Sequence, residues 1–297
     1  MIQTAQLHPA RPLRYALITP ARNEADFIQM TLNSVIAQDT RPVRWIIVND
    51  GSTDGTDEIV HRYAAEYDWI EVIECNGRHD RNFGAKVRAF NAGYARIKRL
   101  DYDLIGSMDA DISFGPDVFS FLLRKFAENP RLGVAGVPLR EGGESYDYRF
   151  TNIEHVSGGW QLFRRECFEE IGGYVAVPGG GIDVIAVVTA RMKGWQTRTF
   201  TERYYDHHRP MGTAMGGVLK ARFKLGRKDY SLGNSFMWQI CRTLYQLRHK
   251  PFVVGGCTIF LGYVCSLLCR AQRSVTPELM QFQRQEQQKR LRNFLHV

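Results

Sequence analysis

Residues 15–56 read YALITPARNEADFIQMTLNSVIAQDTRPVRWIIVNDGSTDGT, and the fold class turns on this stretch. An apolar run from Tyr15 to Thr19 is followed by an amphipathic segment, Glu24 to Gln38, and then by a second apolar run, Trp45 to Val48. Short apolar runs that alternate with helix-period segments imply crossover connections, and crossovers join parallel strands. Strands covered by helices on both faces have no solvent side, so they read as unbroken apolar runs rather than alternating ones. The pattern continues outward. Thr56 to Tyr67 reads as a helix leading into the strand WIEVIE, Phe83 to Ile97 as a helix leading into DLIGSM before Asp109, and a helix beyond Pro116 runs to Ala127. LGVAGVPL, from Leu132, reads as one further strand, and a helix from Asp183 to Lys193 stops at Gly194, a residue suited to a C-terminal cap. The expectation is an α/β fold: a Rossmann-like, mostly parallel sheet with helices on both faces.

The composition sets outer bounds. At 297 residues, 44% hydrophobic and 24% charged, with a mean hydropathy of −0.30, the chain has the material for a large packed core. A disordered chain, a disulfide-stapled miniprotein and a polytopic membrane protein are excluded. Charge divides unevenly: residues 202–297 hold 16 Lys and Arg against 5 Asp and Glu, net +11, while residues 1–201 hold 23 against 26, net −3. The sequence divides accordingly into a tail (1–14), a sheet-bearing domain (15–210) and a helical C-terminal appendage (211–297). The tail has no apolar stretch of signal-peptide length, so the expectation is a cytoplasmic chain with reduced thiols. Four of the six cysteines, Cys241, Cys257, Cys265 and Cys269, lie in the apolar C-terminal stretch without a Cys-x-x-Cys pair, which favours small buried apolar residues over a zinc site.

Ligands of open α/β sheets sit beyond the carboxyl ends of the strands. Three polar loops occupy those positions: Thr19 to Glu24, Asn49 to Thr56, and Asp109-Ala110-Asp111. The first contains no glycine, so it is not the G-x-G-x-x-G turn of a dinucleotide-binding domain, and no G-x-x-x-x-G-K-[ST] occurs. A dehydrogenase and a P-loop NTPase are thereby disfavoured. Asp109 and Asp111, separated by one residue at a strand end, can direct both carboxylates to one divalent cation; a solvated strand-end loop is the plain alternative.

In these stretches the chain resembles the family 2 glycosyltransferases, inverting nucleotide-sugar enzymes of the GT-A fold. The resemblance rests on ITPARNEADFI (Ile18 to Ile28), VNDGSTDGT (Val48 to Thr56), Gly84 to Gly93 with Lys86 and Asn91, and MDADI (Met108 to Ile112). It continues through SGGWQLFRRECFEEIGGY (Ser157 to Tyr174) and GIDVIAVVTARMKGW (Gly181 to Trp195), in order over about residues 15–210. It implies that Thr19, Ala21, Asn23 and Glu24 form the lip holding a nucleotide-sugar donor, that Asp50 bonds the base, that Lys86 is part of the donor site, and that Asp109 meets ribose or metal. Asp111 would bind Mn²⁺ or Mg²⁺, which stabilises the charge gathering on a departing nucleoside diphosphate. Asp183 falls at the aspartate of the family's Glu-Asp motif and is the implied base for the acceptor hydroxyl; a helix N-cap is its other reading. Ile182 stands where the family usually has Glu. His207, in His207-His208-Arg209, is the implied further metal ligand and Arg209 the phosphate ligand, with a solvated polar loop as the alternative. Trp160 and Gln161 fall where the family builds its acceptor pocket, although a core position suits Trp160 nearly as well.

Phe252 to Cys269 carries no charge and is flanked by Arg248, His249 and Lys250 on one side and Arg270 and Arg273 on the other. As a helix its 18 residues reach about 27 Å, marginal against a hydrocarbon core of about 30 Å. A segment dipping into the membrane interface, or a re-entrant hairpin, is favoured over a buried helix and over a full span. The basic region then faces anionic headgroups on the cytoplasmic face. Nucleic acid is a poorer partner, because no nucleic-acid motif accompanies the cations. The expected activity is transfer of one sugar to a glycan or polyprenyl-linked acceptor in polysaccharide assembly. A non-catalytic carbohydrate-binding or assembly subunit and a sugar nucleotidyltransferase remain as other readings; the latter lacks its Gly-rich, Arg-containing first loop.

Overall fold

The computed structural model describes residues 11–75, 83–145, 152–177, 179–209 and 217–295. Strand β1 (Tyr15–Ala21) pairs in parallel with β2 (Arg44–Asn49), and β2 with β3 (Ile70–Glu74), through the crossover helices α1 (Ile28–Ile36) and α2 (Thr56–Glu66). Helix α3 (Phe83–Ile97) returns the chain to β4 (Leu104–Met108), which lies on the other side of β1. With β6 (Leu132–Gly136), β9 (Trp160–Arg164) and β10 (Gln196–Thr199) the main sheet has seven strands in the order β10-β6-β9-β4-β1-β2-β3. Only β9 runs against its neighbours β4 and β6. The strand order reverses about β1, which puts the rim above β1 and β4 where such sheets bind ligands.

Pleating sorts the side chains. Leu17, Trp45 and Ile47 feed one buried cluster, beneath α1 and α4 (Val118–Glu128), while Ala16, Ile18, Ile46 and Val48 feed the other, beneath α3, α5 (Arg165–Glu170) and α6 (Ile182–Met192). Both faces are dry, as the continuous apolar runs require.

LGVAGVPL does not form one strand. It divides at Val137-Pro138 into β6 of the main sheet and β7 (Leu139–Glu141) of a second, four-stranded sheet ordered β5-β11-β7-β8. Pro138 has no N–H to give a ladder, and its carbonyl instead accepts from Tyr205 N at 3.0 Å, which starts β11 (Tyr205–His207). Strand β5 (Ile112–Phe114) pairs antiparallel with β11, setting His207 opposite Ile112; β8 spans Glu144–Ser145.

The C-terminal region comprises α7 (Val218–Ser231), α8 (Phe236–Gln246), α9 (Val254–Leu268) and α10 (Pro277–Leu295). From Met215 the sequence reads as almost wholly helical, with a long stretch Tyr230 to Arg248; that stretch is interrupted in the structure, where Ser235 caps α8 by accepting from Trp238 N at 3.2 Å. Helix α9 is 15 residues long, about 22 Å, and among the described residues no helix is long and apolar enough to cross a membrane. The full-span reading is therefore corrected. So is the buried reading of the cysteines, since Cys257, Cys265 and Cys269 are exposed. Helix α10 is fastened to α6 by a paired contact, Arg191 Nε and Nη2 to the two Glu286 carboxylate oxygens at 2.7 and 2.9 Å.

Candidate active site at the sheet rim

The first two loops are stitched together before they can hold anything else. Glu24 N donates to Thr56 Oγ1 at 2.8 Å, Ala25 N to Asp54 Oδ2 at 3.0 Å, and Asn23 N to Ser52 Oγ at 3.1 Å, while Thr53 N donates to Asn23 Oδ1 at 2.8 Å. Burial raises the Asp54 carboxyl, yet the bonds it accepts from Thr56 and Ala25 outweigh that and hold it below the usual carboxylate range. Ser52, Asp54 and Thr56 were legible as part of the polar loop after the second strand but not as the other half of the Asn23–Glu24 lip. Asp50 lies beside this lip, with Arg22 Nη1 at 3.6 Å from its Oδ2.

At the end of β4, Asp109 N donates to Gly159 O at 2.9 Å and the Asp109 carboxylate pairs with Lys86 of α3. Burial would lower the Lys86 ammonium, but Asp109 first, then Asp183 and Asp111, raise it, so three carboxylates share the field of one cation. Burial and the like charge of Asp111 push the Asp109 carboxyl up, against the pull of Lys86 and His207. Asp183 stands in the first turn of α6, directly against Gly158: a Cβ at Gly158 would come within 2.7 Å of Asp183 Oδ2. No side chain caps α6, so the N-cap role belongs to Gly181 and not to Asp183.

The second sheet delivers the remaining groups. The β5–β11 pairing brings His207 Nε2 to 3.5 Å from Asp111 Oδ2, and His208 N donates to Asp111 O at 2.9 Å. Arg209 pairs with Glu24, donates to Asn23 O at 3.0 Å, and holds its Nε 3.5 Å from Asp111 Oδ2, so one guanidinium ties the first loop to the third. Asp111 Oδ1 and His207 Nδ1 are buried without a hydrogen-bond partner. A carboxylate and an imidazole that approach through Oδ2 and Nε2, each with a second buried atom lacking a hydrogen-bond partner, are donor types that fit Mn²⁺ or Mg²⁺. A second group, Asp57, His61 and Glu74, is the set of three among the described residues whose ligand atoms lie within 4.8 Å of one another; its members are half-buried to exposed and bonded among themselves, His61 Nε2 to Asp57 at 3.1 Å.

Four of the expected contacts fall elsewhere. Thr19 is fully buried and accepts from Trp45 Nε1 at 3.0 Å, so its side chain faces the core. Ala21 is buried too and contributes its carbonyl, which fixes Asp50 N at 2.9 Å. Trp160 is 0% exposed, packed on Phe114, Phe119 and Tyr205 between the two sheets, and presents no face to a sugar. Gln161, also 0% exposed, donates to Val156 O at 2.9 Å and Asp183 O at 3.5 Å and accepts from Tyr174 at 2.6 Å, so it braces the start of α6 from inside. Ile182 is buried in the same apolar cluster as Leu232 of the appendage.

The sequence profile of Glycosyl transferase family 2 matches residues 16–177. Poly-beta-1,6-N-acetyl-D-glucosamine synthase of Staphylococcus epidermidis is 28% identical over 171 residues, 50% of this chain and 39% of that protein. The synthase of the same name from Staphylococcus aureus (strain MSSA476) is 32% identical over 136 residues, 46% of this chain and 31% of that protein. The chain thus spans well under half the length of these relatives. In three dimensions it is similar to the mannosyltransferase PcManGT from Pyrobaculum calidifontis in complex with GDP-Man and Mn2+, with a TM-score of 0.57 and 20% identity over 91% of this chain and 78% of that one. S. aureus TarS 1-349 in complex with UDP-GlcNAc follows at a TM-score of 0.55, 14% identical over 85% and 72% of the two chains. At these identities the likeness establishes a GT-A fold.

Proposed function

The chain belongs to glycosyl transferase family 2, and from that premise we propose that it moves one sugar from a nucleotide-sugar donor to a hydroxyl of a polyprenyl-linked glycan acceptor in polysaccharide assembly, inverting the anomeric carbon. The observation that carries the reading is the convergence at the carboxyl rim of the sheet of Asp109, paired with Lys86, of Asp111, set against His207 and Arg209, and of Asp183, packed on Gly158 next to the Gly159 carbonyl that accepts from Asp109 N. Asn23, Glu24 and Asp50 form the nucleotide side of that rim, with Lys86 and Asp109 beneath it. Asp111 and His207 are the residues that would hold a divalent cation, which would stabilise negative charge on the departing diphosphate. Arg209 exchanges its Glu24 contact for a phosphate oxygen as the donor enters, a guanidinium suiting both partners. The acceptor oxygen attacks the anomeric carbon, its proton passes to Asp183, and the bond to the diphosphate oxygen breaks with the electron pair leaving on the nucleoside diphosphate. The enzyme works at the cytoplasmic face of a membrane, where such an acceptor presents its headgroup.

The division of roles is tested by two substitutions. Asp183→Asn is expected to keep donor affinity and to lower nucleoside diphosphate release, assayed with a membrane lipid extract as acceptor source, by about 10²–10⁴-fold. Asp111→Ala is expected to lose donor affinity in Mn²⁺. Equal loss of donor affinity in both variants would overturn the assignment.

A further inference from the structure

Of the fourteen large hydrophobic side chains exposed among the described residues, eleven belong to α7, α8, α9 and the turn before α9. On α9 they form one stripe: Val254, Cys257, Leu261, Cys265 and Leu268 are all exposed, at the three- and four-residue spacing of a single helix face, and Leu268 is 77% exposed. The opposite stripe, including Ile259, Gly262 and Tyr263, is buried, and α9 lies close against α7 because Gly226 and Gly262 leave room for the facing carbonyls. Helix α8 lies beside it through Phe236, whose ring is 6.0 Å from Phe260, and adds exposed Met237 and Leu244 to the same apolar area. A stretch of this extent on a soluble surface marks a contact with something apolar.

The charges around it indicate what that is. Residues 217–273 hold ten Lys and Arg and a single acidic residue, Asp229, which is buried. Exposed Lys220, Lys224 and Arg227 lie four and three residues apart along α7, exposed Arg248, His249 and Lys250 close one end of the α8–α9 pair, and exposed Arg270 closes the other. An apolar stripe with exposed cations at both ends, more along α7, and no exposed carboxylate in residues 217–273 complements an anionic bilayer surface: the side chains enter the headgroup–acyl boundary and the cations meet lipid phosphates. A second copy of this chain fits less well, since it would press two cationic borders together.

We propose that the outer face of α8 and α9 is a docking surface for anionic lipid bilayers, with both helices lying in the plane of the membrane. The surface is joined to the acceptor side of the site. A Cβ at Gly181, two residues before Asp183, would come within 2.9 Å of Leu232 and 3.1 Å of Lys228, so the end of α7 backs directly on the start of α6. The docked protein therefore holds Asp183 at a fixed attitude to the lipid surface; the purpose of that arrangement rests on the lipid-linked acceptor reading.

The test is co-sedimentation of the full chain with sucrose-loaded vesicles of phosphatidylcholine, alone or mixed with phosphatidylglycerol. Binding is expected to the mixed vesicles, to weaken with salt, and to weaken at least about tenfold in Leu261→Asp/Leu268→Asp and in Lys220→Glu/Lys224→Glu. These side chains are exposed, so thermal stability should hold in both variants. No binding of the wild type, binding indifferent to both pairs of substitutions, or a solution dimer that Leu261→Asp/Leu268→Asp dissolves would each overturn the proposal. Stabilisation by nucleotide sugars, measured on the same samples, separates the two readings: donor binding without vesicle binding removes the docking surface alone, and vesicle binding without donor binding removes the proposed function alone.

Discussion

Gly158 stands between the two halves of the proposed chemistry. Its neighbour Gly159 accepts from Asp109 N at 2.9 Å, and its own Cα leaves no room for a methyl group beside Asp183, whose Cβ and Oδ2 would lie 2.8 and 2.7 Å from it. Gly158→Ala must therefore displace Asp183 while leaving the Asp111–His207 side alone. The expected result is a fall in kcat of up to about 10²-fold, the scale of a misplacement near 1 Å, with donor affinity retained; an unchanged kcat would show that Asp183 is not held where the reaction needs it. Asp109, Asp111 and Asp183 were legible in sequence because each follows a strand or opens a helix at the rim, where direction is fixed by topology. Thr19 and Gln161 were not, and for Trp160 the core position weighed beside the acceptor pocket is the one the structure shows. Whether a strand residue faces core or rim depends on where the helices and the second sheet lie, and Trp160 is covered by Phe114 and Tyr205, which belong to that second sheet.

At the scale of elements, the contact of α7 with α9 is the most exacting. A Cβ at Gly226 would lie 1.8 Å from Ile259 O, and one at Gly262 would lie 2.1 Å from Phe223 O, so both neighbours are backbone and neither can swing aside. Gly226→Val is expected to force the helices apart and to destabilise the appendage by about 1–3 kcal/mol, the usual cost of overpacking, seen as a lower Tm. A Tm equal to the wild type would contradict the close packing. Helix–strand alternation through β4 was readable because each element is long enough to show its period. The strands of the second sheet, two to three residues each, show none, yet the β5–β11 pair is what brings His207 to Asp111. The break between α7 and α8 was missed for a similar reason: apolar periodicity runs through it, and the Ser235 cap that imposes it is a local hydrogen bond.

Taken whole, the molecule divides its charge unevenly. Residues 1–201 are net −3 and bring Asp109, Asp111 and Asp183 to the sheet rim, while residues 202–297 are net +11, with ten of their sixteen Lys and Arg in the 217–273 stretch that bears the apolar face. The two meet where α6 is braced from the inside by Gln161 and from the outside by α10, through Arg191 and Glu286. The composition made the charge division plain, but the facing of the appendage depends on tertiary contacts of single glycines that no pattern announces. A metal-assisted donor site built on Asp111 is tested by thermal unfolding of the full chain with UDP-, GDP-, dTDP- and CMP-sugars, in Mn²⁺ and in EDTA. A ligand at a hundredfold excess over its Kd adds about 2.7 kcal/mol to the folded state. The expected result is a raised Tm with one class of nucleotide sugar, in Mn²⁺ only, and absent in Asp111→Ala; no rise with any of them, or a rise identical in EDTA, would overturn the metal-assisted site.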